Sequence, residues 1–197
     1  MKNEKYIKEL FETNQGILTI NELKEKGINY YYLNPFIAAQ KIERIKPGFY
    51  RWVEFIGDEL VEASRIVPGG IISLFTAAAY HELTTFISST YHFAIDKNRR
   101  VRLPEYPPIK LSYWSGPQLS LGKQQIKSQE GLLITIYDKE KTVCDFIKFR
   151  NKVGIDLTKE VLNNYLRRKD RSISKLMEYA RKLKISTVLK KYLEVLL

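Results

Sequence analysis
The apolar positions near the start of the chain fit two helices joined by a short corner at Gly27 and then become strand-like. Thr19 and Glu22 have the spacing of a reciprocal capping box, so a helix is expected to begin near Ile20. Gly27 can adopt the left-handed conformation that closes a helix, and Asn29 can cap the next one. That second helix is expected over Tyr30 to Ile42, with Leu33, Phe36, Ile37 and Gln40 on one face and Tyr30, Tyr31, Asn34, Ala38 and Lys41 on the other. Proline disfavours a helical residue before it, so Asn34-Pro35 predicts a bent entry, or a start at Pro35 with Asn34 as cap. From Ile42 to Trp52 the pattern becomes strand-like around a Pro47-Gly48 turn, which predicts a short hairpin whose Phe49 and Trp52 pack back on the helices.

The rest of the chain reads as a different kind of sequence. Phe55 to Ile66 fits one amphipathic helix, and Val67-Pro68-Gly69-Gly70 breaks it, so a boundary falls within residues 52–70. The expected domains are 1–60 and 61–197. Ile71 to Leu83 has helical spacing. Tyr91–Ile95, Ile109–Trp114 and Leu132–Tyr137 are rich in aromatic and β-branched residues and predict a small sheet. Asp138 is placed to cap a helix reaching Phe149. Three amphipathic helices follow, with stripes of Val161, Leu162, Tyr165 and Leu166, of Ile173, Leu176, Met177, Ala180 and Leu183, and of Val188, Leu189, Tyr192, Leu193 and Leu196; Ser172 and Ser186 are the expected caps of the last two. The fold class is α+β: a winged helix-turn-helix, then a mixed domain with a small sheet and a C-terminal helical bundle.

Charge adds a partner class. The chain of 197 residues has a formal net charge of +11, which favours a polyanion because clustered Lys and Arg release counterions at phosphates. The excess is uneven: residues 1–56 net only +2, whereas residues 151–197 carry 12 basic and 5 acidic side chains. Arg167, Arg168, Lys169, Arg171, Lys175, Arg181, Lys182 and Lys184 form a candidate basic face there. In the N-terminal domain a capped corner sets a second helix in a major groove, so Asn29, Tyr30, Tyr31, Asn34 and Lys41 are candidate DNA contacts, with Arg44, Lys46 and Arg51 on the hairpin reaching phosphates. A three-helix docking domain that binds only protein is the alternative for this segment, and an RNA- or protein-binding module the alternative for the basic helices.

Candidate chemistry narrows the picture further. Cys144 is the single cysteine, so no intrachain disulfide can form, and a reducing cytoplasm fits. The start lacks an apolar leader, and no stretch approaches the length of a membrane span. His81, His92 and Cys144 are too few for a closed zinc site, Gly69-Gly70 is followed by no Gly-Lys-Ser/Thr, and Asp96 stands alone where a two-metal nucleotidyltransferase needs paired carboxylates. No metal, cofactor or catalytic residue is expected, and an enzyme using His81 or Asp96 is the weakest reading. Cys144 reads as a buried small hydrophobe.

Three segments in order carry a family resemblance: the N-terminal winged helix, Ile71-Ile72-Ser73-Leu74-Phe75-Thr76-Ala77-Ala78-Ala79-Tyr80-His81-Glu82-Leu83-Thr84, and Ile134-Thr135-Ile136-Tyr137-Asp138-Lys139-Glu140-Lys141-Thr142-Val143-Cys144-Asp145. Together they resemble the AbiEi antitoxins of type IV toxin-antitoxin systems, linked to abortive phage infection. The resemblance implies a bifunctional protein. Its N-terminal domain would repress its own operon at inverted repeats, and its C-terminal domain would neutralise a nucleotidyltransferase-like toxin without a required stable complex. The DNA-reading role then falls on Tyr30, Tyr31 and Asn34 of the second helix and on Arg44, Lys46 and Arg51 of the wing, although Asn34-Pro35 departs from an uninterrupted recognition helix. The expected partners are double-stranded DNA and the cognate toxin, with no membrane, and a monomer binding the repeats cooperatively.

Overall fold
The computed structural model describes residues 4–128 and 131–196, and of residues 195 and 196 only the backbone. Its contacts divide the chain into two units. The first runs to Pro68 and includes Arg100–Ile109 and Ser128–Leu132; the second holds Gly69–Arg99, Lys110–Lys127 and the chain from Leu133. The first unit continues past residue 60, which lies within the helix Glu59–Ile66, as far as Pro68.

In the first unit α1 (Glu4–Glu12) leads to β1 (Ile17–Thr19), α2 (Ile20–Glu25), α3 (Tyr30–Ala38), β2 (Ile42–Lys46), β3 (Phe49–Trp52) and α4 (Glu59–Ile66). The capping box forms as its spacing predicts: the Glu22 amide donates to Thr19 Oγ1 (3.2 Å) and the Thr19 amide to Glu22 Oε2 (2.6 Å). Gly27 has φ of 66°, a region that costs glycine little, and it lets the corner turn between α2 and α3. Asn29 caps α3, and Pro35 lies inside the helix, so the start at Pro35 is excluded. The helix is shorter than expected. It stops at Ala38, because Gln40 takes φ of 56° and Ile42 is already the first residue of the wing. The predicted Phe55–Ile66 helix likewise begins only at Glu59, capped by Asp58, while Phe55 packs against the core.

The sheet order is β1-β3-β2, all antiparallel, and it closes over Ile7, Phe11, Leu18, Leu23, Ile28, Leu33, Ile42, Tyr50 and Trp52. Phe11 and Phe36 lie 6.1 and 6.3 Å from Trp52 between ring centroids. Burial of each large side chain here stabilises the unit by roughly 1.5–3 kcal/mol. Phe49 does not join them. It is three residues from Trp52 on one strand, and side chains an odd number apart point to opposite faces, so Tyr50 fills the place expected of Phe49.

The second unit comprises β4 (Ile71–Ile72), α5 (Leu74–Tyr80), β5 (Tyr91–Asp96), β6 (Ile109–Trp114, from Lys110 on), α6 (Pro117–Ser120), β7 (Lys123–Lys127), β8 (Leu133–Tyr137), α7 (Lys139–Lys148), α8 (Arg150–Val153), α9 (Ile155–Arg167), α10 (Ile173–Lys182) and α11 (Ser186–Leu196). The expected helix from Ile71 is corrected: Ile71 and Ile72 form the middle strand of a sheet ordered β6-β5-β4-β8-β7. Strand β4 runs antiparallel to β5 and parallel to β8, and both isoleucines are buried, as β-branched residues in a two-sided position should be. Strand β7 escapes sequence reading because its polar residues are mostly exposed. Helix α7 packs against α5, α8, α9, α10 and α11. Its residues from Glu140 to Ile147 are all buried, which makes it the axis of the unit. The three C-terminal stripes line this core, except that Ile173 is exposed and Leu196 lies outside the described side chains. Ser172 caps α10 as expected, whereas Ser186 is the first residue of α11 rather than its cap.

Candidate nucleic-acid interface
One face of α3 is left open by the packing of the first unit. Leu33 turns into the core with Phe36 and Ile37 beside it, while Tyr30, Tyr31, Asn34 and Ala38 are exposed and Tyr31 keeps 80% of its surface. Gln40, expected on the apolar face, is exposed because it lies beyond the helix end. Asn29 is occupied as the cap, accepting from the Tyr32 amide at 3.3 Å. Lys41 pairs with Glu4, so it ties the end of α3 to α1.

The wing sorts its cations by strand parity. Glu43 faces Arg51 and Lys46 faces Phe49 across the ribbon, with a register shift between Arg44 and Lys46. These four side chains lie opposite Ile42, Tyr50 and Trp52, which face the helices. Arg51 pairs with Glu43 and donates to Glu62 at 2.8 Å. Lys46 donates to the Ile66 carbonyl at 2.6 Å and sits 3.8 Å from the Phe49 ring centroid, and its burial lowers the pKa of its ammonium group. Burial also raises the pKa of Glu62, against the pull of Arg51. Of the three predicted wing cations, only Arg44 is exposed with no ion-pair partner among the described residues. All three cations border an open cleft of about 740 Å³ in the first unit, together with Glu43, Arg102 and Tyr106. Glu22 closes the frame: burial works against its carboxylate, but the bonds from Thr19 and Arg65 outweigh that and hold its pKa below the usual range.

The second predicted surface, on the C-terminal helices, is partly consumed by internal pairs. Lys175 reaches Asp138 Oδ2 at 3.0 Å and Glu140 Oε2 at 3.3 Å; burial acts against its charge, yet these carboxylates raise its pKa above the ordinary value. Arg168 bonds Asp170 at 2.9 Å and the His81 carbonyl at 3.1 Å, and Arg171 donates to the Arg168 carbonyl at 2.9 Å. Lys182 pairs with Glu178 at 2.6 Å. Arg167, Lys169, Arg181 and Lys184 remain exposed without a partner among the described residues. The eight residues therefore do not form one face of free charge.

Beneath them the segment singled out around Asp138 builds a buried polar hub. Lys141 and Asp145, both fully buried, meet at 2.6 and 2.7 Å, and Gln118 donates to Asp145 at 2.6 Å. Lys141 Nζ also lies 4.0 and 4.6 Å from the Tyr137 and Trp114 ring centroids. Desolvation raises the pKa of Asp145 and lowers that of Lys141, each opposed by its partner. Tyr165 donates to Glu140 at 3.0 Å and accepts from the Ser172 amide at 2.8 Å, which joins α7, α9 and the α10 cap. His81 meets the Tyr137 carbonyl at 2.7 Å, and Asp96 accepts from the Asn98 amide at 2.8 Å in its turn, so both have structural bonds. Cys144 is buried, with its thiol pKa pushed up by desolvation. Among the described residues no group of three His, Cys, Asp or Glu is arranged to hold a metal ion, and no helix is long and apolar enough to cross a membrane. Nothing in the sequence pointed to a further cavity, beside His92, because its walls come from segments distant along the chain.

Residues 5–53 match a family model described as "Transcriptional regulator, AbiEi antitoxin". The matched segment spans α1 through the wing, and it bears out the family resemblance there with a regulator and antitoxin description. No curated protein matches the sequence. Among solved structures, the crystal structure of the RV2827C protein from Mycobacterium tuberculosis aligns over 96% of this chain and 78% of its own, at 10% identity and a TM-score of 0.45, a likeness too distant to assign a shared fold.

Proposed function
We propose, from the premise of an AbiEi antitoxin-type regulator segment at residues 5–53, that the protein is a non-enzymatic antitoxin and transcriptional autorepressor of a type IV toxin-antitoxin operon. Its first unit binds inverted repeats in its own promoter with α3 in the major groove, and its second unit neutralises a nucleotidyltransferase-like toxin. The observation that carries the DNA half is the open face of α3: Tyr30, Tyr31 and Asn34 are exposed on the helix that follows a capped corner. Asn34 offers the amide pair that reads adenine, and the tyrosine hydroxyls can reach bases or phosphates. Arg44 is the phosphate contact on the wing, because Lys46 and Arg51 are held by Ile66, Glu43 and Glu62. Lys41 steadies α3 through Glu4.

The test is a binding titration of the full chain against its own promoter fragment, with a scrambled duplex and total RNA as competitors, over a range of salt. Asn34→Ala should lose preference for the promoter by about tenfold, the low end of the discrimination from one bidentate base contact, while binding to the scrambled duplex stays constant. Equal affinity for promoter and scrambled DNA would remove the regulatory reading. Co-expression with the toxin encoded beside it tests the second half, and undiminished toxicity in the presence of folded protein would remove that one.

A further inference from the structure
A cavity of about 400 Å³ opens within the second unit beside strand β6, walled by Phe75 of α5, His92 of β5, Lys110 and Trp114 of β6, Phe149, and Lys152 of α8. We propose that this cavity binds a small anionic heteroaromatic molecule of the size of a nucleoside monophosphate, its phosphate on Lys110 and Lys152 and its base against the aromatic wall beside the His92 ring.

Three independent features lead there. First, Lys110 and Lys152 are exposed, have no partner among the described residues, and come from a strand and a helix far apart in sequence. No Asp or Glu lines the cavity, so two like charges face one space without a counter-charge. Lysine is a natural point-charge partner for phosphate. Second, His92 is only 5% exposed, and its Nδ1 is buried without a hydrogen-bond partner. Its Nε2 has only a 3.5 Å contact with Ser88 Oγ. An unpaired buried ring nitrogen is costly to leave in place, which gives the His92 ring reason to turn toward an occupant of the cavity it lines. Burial and the Lys110 charge lower its pKa to about 4, so the ring is neutral near pH 7 and offers one donor and one acceptor, as a base edge requires. Third, the wall is aromatic. Trp114 and Phe149 are stacked at 5.5 Å with 9° between their planes, and Phe75 meets the His92 ring at 5.0 Å. The volume lies within the range of small-molecule sites.

The site uses neither the α3 face nor the Lys141–Asp145 pair, so it stands apart from the DNA reading. Titration of the full chain with AMP, GMP, CMP and UMP, followed by calorimetry and tryptophan fluorescence, tests it, with inorganic phosphate and ribose as comparison probes. At least one nucleotide should bind saturably and about tenfold or more tighter than phosphate, shift the His92 ring resonances, and weaken by about tenfold in Lys110→Ala/Lys152→Ala, as loss of charged hydrogen bonds predicts. Both lysines are exposed, so this variant should keep its fold, which circular dichroism checks. The proposal is overturned if no nucleotide binds below about 1 mM, if phosphate alone binds as tightly, or if the folded lysine variant binds with unchanged affinity.

Discussion

Replacing Asp145 by alanine tests whether the polar hub holds the second unit together. The Asp145 carboxylate accepts two contacts from Lys141 and one from Gln118 at full burial, so its removal leaves an ammonium group with no anionic partner in a site closed to water. Breaking one side of a buried pair costs about 3–5 kcal/mol. The Tyr137 and Trp114 rings still face Lys141 Nζ and offset part of that loss, so the lower end, about 3 kcal/mol, is expected. Urea unfolding followed by tryptophan fluorescence and far-ultraviolet dichroism reads this as a fall in the midpoint with little change of slope. The double variant Lys141→Met/Asp145→Leu removes both charges and should be more stable than Asp145→Ala alone. A cost under about 1 kcal/mol for Asp145→Ala, or additivity of Lys141→Met and Asp145→Leu in the double variant, would refute the claim that these side chains act as a coupled buried pair.

Three further outcomes follow from named contacts. Arg44→Ala should weaken DNA binding on every sequence and flatten the salt dependence by about one unit, whereas Lys46→Ala should leave that slope unchanged; the reverse pattern in salt titrations would move the interface to the other ribbon face. His92 is held at about 4 against an ordinary 6.5, so the folded state binds its proton less readily than the unfolded chain, and stability present above pH 6.5 is lost as pH falls toward 4. His92→Gln should therefore flatten the stability curve between those values by up to about 3 kcal/mol, and equal slopes for both proteins in that window would contradict this. Gly122→Ala places a Cβ 2.5 Å from Lys141 Cβ at a φ of 69°, so thermal unfolding should show a loss of about 1–3 kcal/mol; an unchanged midpoint would show that the loop has room to shift.

Local chemistry was legible along the chain. Thr19 with Glu22, Asn29, Asp138 and Ser172 each signal a helix start through bonds made within three residues, and the Pro47-Gly48 turn fixes the wing in the same short-range way. Strands β5, β6 and β8 follow from β-branched and aromatic runs. Tertiary structure decided the rest, because burial depends on what packs from elsewhere. Ile71 and Ile72 are a strand only because β5 and β8 flank them. The charged half of α7 is interior only because Gln118, Tyr165 and Lys175 arrive from other elements to satisfy it. Which wing cation stays free was settled by α4, whose Glu62 and Ile66 capture Arg51 and Lys46 and leave Arg44. Sequence thus determined where elements begin and turn, since those hydrogen bonds close locally; the fold determined which charges are neutralised, since their partners lie tens of residues away.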